Sequence, residues 1–181
     1  MFPILFPGGL AQNAEVEIYS TPGSFTWNKP AGAKFVSVLL VGGGGGGGSG
    51  RRGAPGTPRT GGGGGGGAQR TTGIVDATTL PSTVSVTIGA GGLGASAQTV
   101  NDTDGFNAPG PGGDSIFGTY LIARPGFGGV GGKFGAAGTG GVAGFALSSP
   151  GGSSNVNGDT GGDTASPQDG CAGGGCGGSE T

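Results

Sequence analysis

From Gly126 to Ala146 the chain places glycine at every third position, at Gly126, Gly129, Gly132, Gly135, Gly138, Gly141 and Gly144. A period of three belongs neither to an α-helix nor to a β-strand. It matches an extended helix of the polyproline-II type, with three residues per turn and a rise of about 3.1 Å per residue. Such a helix makes no internal hydrogen bonds, so its amides must find partners outside it. A face stripped to hydrogen lets a neighbouring backbone come close enough to supply them. Collagen shares the period but is rich in proline, and residues 126–146 contain none. The period therefore predicts extended glycine helices packed side by side within one chain.

Three further segments fit that scheme: Gly42 to Gly48, Gly61 to Gly67, and Gly89 to Gly94. Glycine fills 52 of the 181 positions. Ordering it costs about 1–2 kcal/mol per residue, and these segments have almost no side chains to bury in return. Close contact and dense hydrogen bonding between segments would have to offset that cost. The alternative is that the glycine blocks are flexible linkers, although linker glycine has no reason to keep a phase of three.

The remaining pattern is that of β-structure. Ala14 to Ser20 alternates Val16 and Ile18 with Glu15 and Glu17, the period of a half-buried strand. After a turn at Thr21-Pro22-Gly23, Ser24 to Trp27 forms a short strand with Phe25 and Trp27 on one face. Lys34 to Val41 is apolar on both faces and reads as the central buried strand. Ser82 to Ile88 points Val84, Val86 and Ile88 inward. Asp114 to Ala123 reads as a strand pair bent at Gly118. Residues 96–113 are polar and read as loop, and 148–181 either continue the glycine helices or form a tail. The predicted fold class is all-β, a small β-sandwich followed by a bundle of polyglycine-II helices, with essentially no α-helix. The expected organisation is a docking segment at 1–13, a β-domain with inserted glycine tracts at 14–123, and a glycine bundle and tail at 124–181.

Charge and chemistry-bearing residues are sparse, with 8 basic residues, 10 acidic residues and no histidine. No basic stripe suits nucleic acid, and no apolar run reaches membrane-spanning length. Without histidine there is no ordinary nucleophile–base pair. The chain is expected not to be an enzyme and to hold no cofactor and no metal. Asp102 and Asp104 read as solvated loop carboxylates, with calcium as the alternative. Cys171 and Cys176 could close a small disulfide loop or remain free thiols. The apolar start, with Phe2, Ile4, Leu5 and Phe6, reads as a segment docking on a partner. The alternatives are a frayed or locally packed terminus, or a secretion signal, for which it is short and lacks a positive region. The loop from Ser49 to Thr60 carries Arg51, Arg52 and Arg59 and reads as an exposed tip. Phe127, Phe134 and Phe145 occupy non-glycine positions of the triplets, either facing outward as receptor contacts or covering the β-core.

In order along the chain, four segments resemble the glycine-rich domain of tail fibres and other appendages of tailed bacteriophages. They are Phe25-Thr-Trp-Asn-Lys-Pro-Ala-Gly32; Lys34 to Val41 running into Gly42 to Gly48; Ser82 to Ile88 running into Gly89-Ala-Gly-Gly; and Gly112-Gly-Asp-Ser-Ile-Phe-Gly118. The resemblance covers roughly residues 16–146. Members of that family usually end on a hydrophobic strand, and this chain ends on Gly177-Gly-Ser-Glu-Thr181. The closing strand is either absent or supplied by another subunit. The resemblance implies a structural part of the virion, located in the phage particle and in contact with other virion proteins. A bacterial receptor or glycan and a second copy of the chain, in a homo-oligomer, are further candidate partners, and the resemblance implies no catalytic residues. The alternative is a glycine-rich adhesion module on a cell surface. An ice-binding face would need a more regular outer row than Phe, Val, Lys, Ala and Thr provide.

Overall fold

The computed structural model describes residues 14–139 and the strand Asn155–Val156. The docking residues Phe2, Ile4, Leu5 and Phe6, the triplet glycines Gly141 and Gly144, Phe145, and both cysteines lie outside the described residues. So do segment 1–13 and most of the proposed tail.

The described residues are all-β. Seven strands form two sheets: β1 (Gly23–Asn28), β2 (Phe35–Val41), β3 (Arg70–Asp76), β4 (Thr83–Ile88), β5 (Ser115–Phe117), β6 (Leu121–Ala123) and β7 (Asn155–Val156). One sheet has the order β1-β4-β5-β6 and the other β2-β3-β7, and every pairing is antiparallel. The only helical element among the described residues is a 3-10 turn, Ala77–Thr79. Alternation along the strands sends Trp27, Leu40, Val75, Val84, Val86, Phe117 and Leu121 into one apolar cluster between the sheets. Trp27 meets Phe117 edge-on at 5.6 Å between ring centroids. The bend at Gly118 is a tight turn that takes φ to +53°, joining β5 to β6.

Strands β2 to β6 each connect to a glycine tract at the same end of the sandwich. β2 runs out into a first tract, 42–51, and a second tract, 60–69, returns into β3. β4 leads to a third, 89–95; a fourth, 105–113, returns into β5; and β6 leads to a fifth, 124–132. The tracts are joined backbone to backbone every third residue. The N–H groups of Gly42, Gly45, Gly48 and Arg51 donate to the carbonyls of Gln69, Gly66, Gly63 and Thr60 at 2.8–3.0 Å, so the first two tracts run antiparallel. Gly63, Gly66 and Gln69 donate in turn to Val130, Phe127 and Arg124 of the fifth tract. Gly126, Gly129 and Gly132 close the triangle by donating to Gly43, Gly46 and Ser49. The third tract adds alongside the first, through Gly92 to Gly44 and Ala95 to Gly47. The fourth lies between the first and fifth, accepting from Gly43 and Ser49 and donating to Gly126, Gly129 and Gly132.

Where one tract presses on another, glycine is demanded by space, while Gly91, Gly94 and Gly110 have room for a side chain. Among the described residues the glycines with positive φ are Gly23, Gly32, Gly56, Gly118 and Gly135, none of them in a tract. A Cβ built on Gly45 would fall on the carbonyl of Phe127, and one on Gly126 would fall on that of Gly66. Backbone atoms on both sides leave neither site room to relax.

Four expectations are corrected. Ala14 to Ser20 forms no strand: no neighbour pairs with it, Val16 and Ile18 are exposed, and only Tyr19 packs back, on Phe25. β2 is an edge strand rather than the central one, since among the described residues it pairs only with β3, and because its sheet is covered on one face, Phe35, Leu39 and Val41 point to solvent. Residues 105–113 are not loop, since the fourth tract is woven into the others. β3 and β7 are unforeseen strands, β7 lying in the stretch read as glycine helix or tail and pairing with β3. Gly73 in the middle of β3 looks like a breaker, but a Cβ there would lie 2.7 Å from the Leu121 side chain, so the glycine makes room for the core.

Gly45→Ala should lower stability by more than about 3 kcal/mol, beyond ordinary overpacking, since backbone must move. Gly110→Ala, where nothing lies within 4 Å of the built Cβ, should stay within about 0.5 kcal/mol of the parent. Urea unfolding of both variants checks this; equal midpoints would show that the tracts are not in contact.

Candidate functional site at the distal tip

At the end remote from the sandwich, the tracts are connected by the loops 50–60 and 96–104 and by the turn Lys133–Ala136, where Gly135 takes φ to +71°. A tip of glycine-flanked loops has few apolar residues to hold it, and an arginine does that work. Arg51 is 8% exposed. Its Nη1 donates to the Pro58 carbonyl at 2.6 Å, Nη2 lies 3.5 Å from Asp102 Oδ1, and Nε lies 3.2 Å from Asp104 Oδ1. The Nε–H is not aligned on the carboxylate, so that last contact is an ion pair without a hydrogen bond. The guanidinium also sits 5.0 Å from the centroid of the Phe134 ring, within cation–π range.

The partners of Arg51 are themselves held. Asp102 Oδ1 accepts from the Ala54 N–H at 3.3 Å and the Thr57 hydroxyl at 2.9 Å, and Asp104 Oδ1 accepts from the Phe134 N–H at 2.9 Å. Asp102 takes φ of +57°, a left-handed conformation that aspartate tolerates better than most residues. Arg52 exchanges two backbone hydrogen bonds with Thr103 and donates through Nε to Asn101 Oδ1 at 2.9 Å. Thr60 Oγ1 donates to the Lys133 carbonyl at 2.7 Å. All three connections are thereby tied into one unit.

The backbone N–H of Ala54 and the hydroxyl of Thr57, with the charge of Arg51, hold the Asp102 carboxyl below its usual range. A depressed carboxylate stabilises the fold above its unfolded pKa, near 3.9, and loses that contribution as pH falls through the folded value.

Of the residues singled out in the sequence, the structure brings together Arg51, Arg52 and Phe134. Arg51 is buried instead of presented, because two carboxylates and a ring enclose it. Arg52, Arg59 and Phe134 are exposed at the tip, beside Pro55 and Pro58. Phe127 is exposed on the fifth tract, away from the tip loops. Asp102 and Asp104 are partners of Arg51, not free loop carboxylates; the pairing spans 51 and 53 residues of polar sequence, so no local pattern announced it. Among the described residues no group of three His, Cys, Asp or Glu could hold a metal ion, and no helix is long and apolar enough to cross a membrane. With Arg51, Asp102 and Asp104 committed to one another, the tip can present a fixed surface of Arg52, Pro55, Pro58, Arg59 and Phe134.

The glycine-rich domain family matches residues 20–181 of the chain. No curated protein and no solved structure matches it.

Arg51→Ala should release the three loops and cost about 1–3 kcal/mol. Acid should act on the same contacts. Protection of the Ala54 and Thr103 amides should fall below about pH 4 while the amides of β4 hold, as followed by NMR hydrogen exchange. Tip amides that stay protected in Arg51→Ala would show that the arginine does not hold the loops.

Proposed function

We propose, from the premise that the chain belongs to the glycine-rich domain family, that it is a structural component of a bacteriophage virion appendage: a fibre, spike or decoration. The observation that carries this reading is the division of labour along one axis. A small sandwich anchors the glycine tracts at one end, and a clasped set of loops closes them at the other. Such a frame holds contact residues at fixed positions far from the anchor, which suits a surface that meets a host. In this reading the tracts form a bundle of polyglycine-II helices, supported by hydrogen bonds that recur at every third residue. A block such as 61–67 would then span roughly 20 Å.

The tip loops, with Arg52, Arg59 and Phe134, are the proposed contact surface for a bacterial receptor or glycan, and other virion proteins are the proposed partners of the sandwich end. The reading assigns the chain no catalysis and no cofactor.

Proteomics and antibody-labelled electron microscopy of purified particles test this directly. Label at a fibre or spike tip, with antibody blocking infection, would support a host-contacting appendage. Label over the head would make the chain a decoration. Absence from intact particles would reject the virion reading in favour of an adhesion module on a cell surface.

A further inference from the structure

The outer face of the β2–β3 hairpin is unusually apolar for a surface. Register places Phe35 beside Asp76, Ser37 beside Ile74, Leu39 beside Thr72 and Val41 beside Arg70. These eight side chains point away from the core, since the inward positions of β3, namely Thr71, Gly73 and Val75, are buried. Phe35 is 71% exposed, Ile74 67%, Leu39 60% and Val41 55%. Contiguous exposed apolar side chains of this kind mark contact surfaces.

The charges framing the patch specify what covers it. Arg70 stands at one end of the β3 row and Asp76 at the other, both exposed. Turning a second copy about a twofold axis that lies in the plane of the sheet, across the strands, reverses the strand direction. With the axis midway between the two faces, it lays Arg70 of each copy against Asp76 of the other, Phe35 over Val41, Leu39 over Ser37 and Ile74 over Thr72. The face is thus complementary to itself in charge, and its two Phe35–Val41 pairings are apolar, as suits an isologous interface. Asp76 uses one oxygen, Oδ1, to hold the Thr78 N–H and hydroxyl. We infer that the chain self-associates through this face, sheet on sheet, as a twofold dimer.

Sedimentation equilibrium on the full chain, over a range of concentration and salt, tests the inference. The parent protein should dimerise. Leu39→Asp removes an apolar side chain from the contact twice over, so its dissociation constant should rise roughly a hundredfold or more. Ser37→Arg alters an exposed residue in the middle of the patch without touching the core, and it should also yield monomer even if the first variant folds poorly. Arg70→Glu should weaken the dimer. Mixing the Arg70→Glu chain with an Asp76→Arg chain should form a heterodimer tighter than either homodimer, because each rim pair again joins opposite charges. A parent chain that stays monomeric would overturn the inference. So would a dimer indifferent to both Leu39→Asp and Ser37→Arg, or a charge-swapped mixture no tighter than its parts.

Discussion

The structure depends on one kind of contact, a glycine Cα pressed against the carbonyl of a neighbouring tract. Where the first, second and fifth tracts meet, each donates to the next at every third residue, and no side chain fits between them. This region inverts the usual logic of a core. It is packed, yet its cohesion comes from backbone hydrogen bonds and close approach rather than from apolar area. Each such bond contributes about 0.5–1.5 kcal/mol net, against a cost of about 1–2 kcal/mol for ordering each residue. Tracts alone sit at or below break-even. They need their ends held, and the rest of the molecule holds them.

The buried polar residues show where that holding occurs. Ser49 and Arg51 lie at the tip end of the first tract, Gln69 and Thr71 at the sandwich end of the second, and Ser115 just beyond the fourth. Each supplies hydrogen bonds where the chain passes between two bonding patterns. Ser49 Oγ accepts from the Phe106 N–H, Gln69 Oε1 accepts from the Arg124 N–H, and Ser115 Oγ accepts from the Gly89 N–H. Thr71 Oγ1 donates to the Ile122 carbonyl, and the nearby Arg124–Asp114 pair closes at 2.9 Å. Side-chain chemistry is thus concentrated at the boundaries, and the tracts between them are left to the backbone.

This division bears on function. A frame made of backbone transmits position from sandwich to tip with few side chains to repack. The outer β2–β3 face lies on the sandwich, so self-association there and contact at the tip would use separate surfaces.

Much of this was legible in the sequence. The alternation in Ser24 to Trp27 and Ser82 to Ile88, and the strand pair around Gly118, marked β1, β4, β5 and β6, because those strands have one face on the core and carry its period. The glycines at Gly126, Gly129, Gly132 and Gly138 marked close contact between segments, because only a missing side chain permits it, whereas Gly135 breaks the predicted run by turning the chain at the tip with open space around it. What the sequence could not decide was pairing. Val16 and Ile18 alternate like a strand but found no neighbour; Arg70 to Asp76 does not look like a strand but is held as one between β2 and β7, with Gly73 yielding space to Leu121. Arg51 looked exposed until loops distant in sequence brought Asp102, Asp104 and Phe134 around it. Local pattern determines what a segment is able to do; which neighbour it meets is set by long-range closure, and that decided the edge position of β2, the fourth tract and the clasp at the tip.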